Sequence, residues 1–192
     1  MQAGVSNFLE ADKFQHIRSM EEHRYARDML TVRLVNIETG KTDYVPKTKV
    51  REFWDNLADD DKQEMASWTY EAFLERLNTT YTYYIKREEK VIAIGGTYPD
   101  YPYICLWLLV SKDIGKYPSV LIKAVRKVIK KELGVYPIAM YTVLALPHHQ
   151  AKTHHKFLEK VLRMNFTGEY SDDKKIYMAE KRELLECANQ FQ

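Results

Sequence analysis

Cysteine is nearly absent: Cys105 and Cys187 are the only two in 192 residues. Two isolated thiols make neither a disulfide framework nor a zinc site, and their scarcity points to a reducing compartment. Glycine is also scarce, at 7 residues, about half the usual share, and proline numbers 6. No Gly/Ser-rich or Pro-rich linker is present, which excludes flexibly strung modules. An excess of one charge is missing too. The 29 Lys and Arg against 27 Asp and Glu leave a net charge of +2, so the chain is no global polyelectrolyte. The longest apolar run, 104–110, has seven residues, well short of the roughly 18 to 20 that cross a bilayer. With acidic residues near its N-terminus instead of an apolar signal region, the chain reads as soluble and intracellular. What remains is 45% apolar and 29% charged residues, the composition of one ordinary globular domain.

The patterning predicts a helical arm over 1–30, a domain over 31–180 and a C-terminal helical tail over 181–192. The arm starts at the caps Ser6 and Asn7 and runs without Gly or Pro. Alternation over 31–38, with a turn at Thr39-Gly40-Lys41, predicts a strand and a hairpin. A short helix is expected over 47–57. A second runs from the acidic run Asp59-Asp60-Asp61 to about Leu77, with Met65, Trp68, Ala72 and Phe73 on one face. Segments 81–87, 91–98 and 103–110 read as three sequential antiparallel strands, the last apolar on both faces and therefore central. Pro118 opens a helix that Gly134 closes. A strand over 135–146, a helix from Pro147 to about Met164 and a hairpin around Ser171-Asp172-Asp173 complete an α+β domain built on one sheet.

This order, with certain residues, resembles the GNAT superfamily of N-acetyltransferases over roughly 31–180. The carrying residues are Val91-Ile92-Ala93-Ile94-Gly95-Gly96, then Leu106-Trp107-Leu108-Leu109-Val110-Ser111, and Phe157-Leu158-Glu159-Lys160 feeding Phe166. More narrowly, AIGG, a Trp-bearing strand ending in Val-Ser-Lys-Asp, and FLEK followed by Glu169-Tyr170 look like the diverged GNAT-like internal or assembly proteins of short-tailed phages. The resemblance implies a mixed, mainly antiparallel sheet flanked by helices. It also implies that the strand ending at Val110 splays from its neighbour to admit acetyl-CoA, whose pyrophosphate would sit on the next helix N-terminus. The cofactor-binding candidates carried over are Leu109, Val110, Lys112, Gly115 and Lys116. A backbone N–H near Leu109 or Val110 would polarise the thioester carbonyl.

Two departures from the family pattern bear on activity. The loop 111–118 has one glycine and ends in Pro118, which lacks an N–H. No tyrosine stands near Leu158 or Glu159, where the family often has a general acid. Two functions follow as expectations: a virion-associated or assembly protein with degenerate catalysis, in the host cytoplasm or the virion, or an active acyl-CoA-dependent N-acetyltransferase.

Other constellations have functional and bland readings. Lys123, Arg126, Lys127, Lys130 and Lys131 form a basic stripe on one helix, open to nucleic acid, the CoA phosphate or an acidic protein, or simply the wet face of an amphipathic helix. His148, His149, His154 and His155 contain no i,i+4 pair, so no metal site is expected; they read as a polar helix start, with proton transfer open to one imidazole. Glu52, Glu71, Asp100 and Glu169 are general-base candidates, none singled out. Glu88 and Glu89 read as turn residues. Tyrosines at 81–84 and 98–103 suit strand packing or protein partners and self-assembly.

Overall fold

The computed structural model describes residues 29–100, 103–135, 140–145, 152–171, 174–180, 182–184 and 186. Apart from Met29 and Leu30, which are helical, the N-terminal arm lies outside them, as do His148, His149 and most of the C-terminal tail.

Among the described residues, eight strands form one sheet in the order β2-β1-β3-β4-β5-β6-β8-β7. They are β1 (Thr31–Asn36), β2 (Thr42–Pro46), β3 (Tyr81–Arg87), β4 (Lys90–Asp100), β5 (Tyr103–Val110), β6 (Met140–Ala145), β7 (Asn165–Ser171) and β8 (Lys174–Glu180). Only the β1–β3 and β5–β6 pairs are parallel, so the sheet is mixed and mainly antiparallel, as expected. The helices are α1 (Lys47–Asp55), α2 (Asp59–Glu64), α3 (Tyr70–Thr79), α4 (Pro118–Val135) and α5 (Lys152–Lys156). A π-helical turn, Phe157–Val161, extends α5, and a 3₁₀ turn, Lys112–Lys116, precedes α4.

The single helix expected from the acidic run to Leu77 is two helices. The break falls at 65–69, where the Thr69 hydroxyl accepts the Ala72 N–H at 3.1 Å and starts α3 afresh. This N-cap fixes a new helix axis. Phe73 and Leu77 remain buried, but Trp68, expected on the same apolar face, is 38% exposed.

Each side of the sheet is covered by helices. Val50 and Phe53 of α1 and Phe73 and Leu77 of α3 pack with Leu34, Ile94 and Leu109. On the other side, Leu121, Ala124 and Val128 of α4 pack with Ile85, Ile92 and Leu108. β5, fifth in the strand order, therefore sits between two apolar layers, which is why its sequence shows no polar face.

The two glycines of β4 have a steric role. A Cβ on Gly96 would lie 2.1 Å from the Tyr81 carbonyl oxygen, and one on Gly95 would lie 2.7 Å from that of Trp107. Both contacts are with backbone, so only glycine allows β3, β4 and β5 to come together here.

Candidate active site at a strand fork

β5 has two unlike edges. Towards β4 it is paired along its whole length, from Asp100↔Tyr103 to Ala93↔Val110. Towards β6 the register holds only at Ile104↔Tyr141 and Cys105↔Thr142. Beyond Cys105 the two strands part. The fork implied by the resemblance is present, and it opens beside the stretch 106–110.

Backbone alternation identifies what faces the gap. The Trp107 carbonyl lies against Gly95, and the Ser111 N–H donates to the Ile92 carbonyl at 3.0 Å, so 107 and 111 face β4. Residues 108 and 110 face the other way. Val110 is already engaged there: its N–H donates to Asp61 Oδ2 at 3.3 Å, and its carbonyl accepts the Ala58 N–H at 2.9 Å. Beyond Cys105, the Leu106 and Leu108 amides thus face the side of the gap, Leu108 farther into it, while the Leu109 amide is turned to β4.

A cavity of about 380 Å³ occupies the fork. Its volume is at the lower end of the roughly 300–1,000 Å³ of small-molecule sites. Consecutive β5 residues from Cys105 to Val110 line it, with Leu121 and Ala124 from one helical layer and Met65 and Phe73 from the other. Because alternate residues of a strand point to opposite faces, the cavity wraps around the open edge of β5 and reaches both sides of the sheet.

The lining is mainly apolar, with a polar group at the end of β5. Asp61 is fully buried, and its Oδ1 has no hydrogen bond. His154 Nε2 stands 3.5 Å from that oxygen, too far for a well-formed bond, and His154 Nδ1 is 3.7 Å from Glu64 Oε2. Burial pushes the Asp61 carboxyl above the usual carboxylate range, against the opposing pull of His154 and the Val110 amide. Burial works against the His154 imidazolium, yet contact with Asp61, its charge and those of Glu64 and Asp60 lift the pKa above its ordinary value. The nearest ligand atoms of the three residues lie within 4.8 Å of one another, near enough for a cation. However, each ring nitrogen faces a different carboxylate, the arrangement of an imidazole shared between two acids. A second buried polar atom without a hydrogen bond, Trp107 Nε1, belongs to the same lining.

Of the residues named from sequence, Leu109 and Val110 line the cavity. Lys112 and Lys116 lie on the adjoining turn, each paired with an acid at 2.9 Å: Lys112 with Asp59 and Lys116 with Asp113. Gly115 has open space around its Cα and no positive φ. At the start of α4, the N–H groups of Val120 and Leu121 already donate to the Tyr117 carbonyl. Of the base candidates, Glu52, Glu71 and Glu169 are not in the cavity lining, and the side chain of Asp100 lies outside what the structure describes; Glu52 is tied to Lys49 on the exposed face of α1. Glu88 and Glu89 form the β3–β4 turn with φ of 48° and 62°. Within the basic stripe, Lys123 is exposed, Lys127 donates to the Glu38 carbonyl at 2.8 Å and Lys131 lies over the Tyr83 ring.

Sequence reasoning missed Asp61 and Glu64. The acidic run was read as helix capping, and the chain separates Asp61 from His154 by most of the domain. His155, beside His154, is structural: fully buried, its Nδ1 shares a 2.6 Å hydrogen bond with the Tyr177 hydroxyl. Burial, with the adjacent Glu159 carboxylate, pushes that hydroxyl up to about 12.

No protein-family model and no curated protein matches the sequence. Among solved structures, the chain is similar to the PaiA N-acetyltransferase from Thermoplasma acidophilum in complex with coenzyme A. Identity is 12%, 78% of this chain and 97% of that one are covered, and the TM-score is 0.45. It is also similar to the aminoglycoside 6'-N-acetyltransferase from Enterococcus faecium, at 15% identity, with 66% and 89% covered and a TM-score of 0.46. An acetyltransferase of the GNAT family from Bacillus anthracis shows 10% identity, 67% and 89% covered and a TM-score of 0.44. Likenesses of this size speak to no activity or ligand of this chain.

Proposed function

We propose that the protein is an acyl-CoA-dependent N-acyltransferase of GNAT type. The observation that carries this reading is the open fork beside Leu106–Val110, with a cavity reaching both faces of the sheet. A narrow apolar cleft through a sheet suits the arm of a thioester on one side and an amine on the other. Bound acyl-CoA would supply the electrophilic carbonyl. The Leu108 amide faces the gap where that carbonyl would lie, and backbone donors of this kind stabilise developing negative charge. Leu109 and Val110 wall the cleft, and the turn with Lys112, Gly115 and Lys116 lies where the phosphates would pass.

The turn fits phosphate less well than the fork fits an acyl arm. Both lysines are paired with acids, Pro118 offers no N–H and the Val120 and Leu121 amides of α4 are taken. Affinity for acetyl-CoA is therefore expected in the micromolar to sub-millimolar range, about −8 to −5 kcal/mol. Titration calorimetry of the full chain with acetyl-CoA tests this. No heat of binding below millimolar concentration removes the reading.

A second reading, a virion or assembly protein with lost catalysis, is favoured by the self-paired turn and by exposed aromatic residues. Phe166 and Tyr170 form an edge-to-face pair 5.4 Å apart on the edge strand β7, with Tyr170 57% exposed. Exposed aromatic groups on an open sheet edge suit a protein partner. Its test is fractionation: a purified protein that is monomeric and absent from assembling particles rules it out.

A further inference from the structure

We infer that His154, held between Asp61 and Glu64, is the group that takes the proton from the acceptor amine, and that the acceptor is a cationic primary amine on an apolar body. This rests on the acyltransferase reading and goes beyond it by naming the base and the acceptor class.

Three observations meet here. His154 lines the cavity, and Asp61 joins it to the end of β5 by accepting the Val110 N–H. An imidazole at this place is next to the fork, where a thioester carbonyl would be attacked. The charge on this wall is negative, from Asp61 and Glu64, and suits an incoming ammonium. The wall continuing from it on the α3 side is aromatic, with Trp68, Phe73 and Trp107, while the Tyr98 ring there is already covered by Arg76. Ring faces and carboxylates together favour a cation carried on apolar carbon.

The step balances as follows. Neutral His154, with its Nδ1–H towards Glu64, accepts one proton from R–NH3+ at Nε2, which stands 3.5 Å from Asp61 Oδ1 without a hydrogen bond to it, and leaves the free amine. The nitrogen lone pair forms a C–N bond to the thioester carbonyl carbon, and the C–S bond breaks. The thiolate leaves with the second amine proton as CoA–SH. The proton on His154 then passes to solvent, to which its side chain is 21% exposed.

The groups around His154 set the pH range. Asp60, Asp61 and Glu64 face it from α2 and raise its pKa against the effect of burial. On its own helix, His155 is turned to Tyr177, and Arg76, also in the lining, stacks on Tyr98 at 3.9 Å. The resting imidazole is thus protonated to a higher pH than a free histidine, whose pKa is about 6.5. Since the base must be neutral to act, kcat/KM rises with pH through a value above that figure.

The experiment uses the full chain with acetyl-CoA and two probe amines, tryptamine and glucosamine, with thiol release followed from pH 5.5 to 9. Expected results are at least tenfold higher kcat/KM for tryptamine, an approximately hundredfold or larger fall in kcat in H154Q, and unchanged acetyl-CoA binding in that variant. A readout apart from turnover is the NMR titration of the His154 ring in the free protein. It is expected to titrate above about 6.5, and lower in D61N and E64Q, whose rate profiles move to lower pH in step. H154Q turning over within threefold of the wild type overturns the assignment of the base. A ring titration unmoved in D61N also overturns it, and this test does not need H154Q to fold. Glucosamine used as well as tryptamine overturns the acceptor class. Failure of acetyl-CoA to bind the wild type overturns the acyltransferase reading and this one with it, whereas transfer unimpaired in H154Q overturns this one alone.

Discussion

The two edges of β5 are built from the same eight residues yet serve opposite ends. On the β4 edge, glycines and full register bring three strands into close backbone contact. On the β6 edge, pairing stops after Cys105 and a cavity takes its place. The closed edge holds the strand rigid, so that the open edge can keep unpaired groups aimed into a gap. Most backbone groups in a fold must be paired, and a strand that pairs one edge completely can leave part of the other open where its faces are well packed. β5 meets that condition because apolar layers cover both of its faces.

The largest expected effect breaks the closed edge. Gly96→Ala places a methyl 2.1 Å from the Tyr81 carbonyl oxygen, and because both sides are backbone, relief requires the strands to part. A loss of more than about 3 kcal/mol is expected, in the range reserved for steric failure in a core. Urea unfolding measures it, and a loss under about 1 kcal/mol would mean that the glycine pair does not set the strand spacing. On the open edge, Ala124→Phe adds a ring to a residue of the cavity lining. Ala124 is buried and packed, so stability should fall by about 1–3 kcal/mol, while acetyl-CoA affinity falls at least tenfold. A variant that binds as before shows that the cleft is not the acyl site.

The third prediction concerns the ion pair that ties α2, bonded to the end of β5, to α5, which follows β6. His154 has a folded-state pKa above its unfolded value. Its stabilisation is therefore complete below about pH 6.5 and lost as pH rises through the folded pKa, about 1.4 kcal/mol for each unit of elevation. The melting temperature should fall by a few degrees above neutral pH, with the fall absent in H154Q. An equal fall in that variant removes His154 as its source.

The smallest effect sharpens the closed edge. Glu88 and Glu89 both have positive φ in a two-residue turn, a conformation that Asn-Gly adopts without strain. The double replacement gives up the Tyr117–Glu88 hydrogen bond and the exposed Lys86–Glu89 pair. It should nonetheless stabilise the protein by about 0.5–1 kcal/mol, while a net loss would give those two contacts the greater weight.

Most of the fold was legible because its signals are local. The change from helical to alternating period near Tyr81, the proline that opens α4 and the doubly apolar β5 each report the environment of a few consecutive residues. The break between α2 and α3 was missed for a local reason as well: the apolar spacing runs on through 65–73, and the Thr69 cap that ends it is a single hydroxyl bond. The site was harder to read. Leu109 and Val110 were identified through a motif, whereas Asp61 looked like one of three interchangeable capping acids. Nothing along the chain distinguishes it from Asp59, which is exposed and paired with Lys112.

By itself, the sequence determined most of the strands and helices and the central place of β5, because periodicity acts over short range. Only the tertiary structure decided where β6 leaves β5, that a cavity forms there, and that Asp61, Glu64 and His154 meet at its wall. Those outcomes depend on which distant segments pack together, and both the burial that raises the Asp61 carboxyl and the acidic neighbours that raise His154 exist only once they have done so.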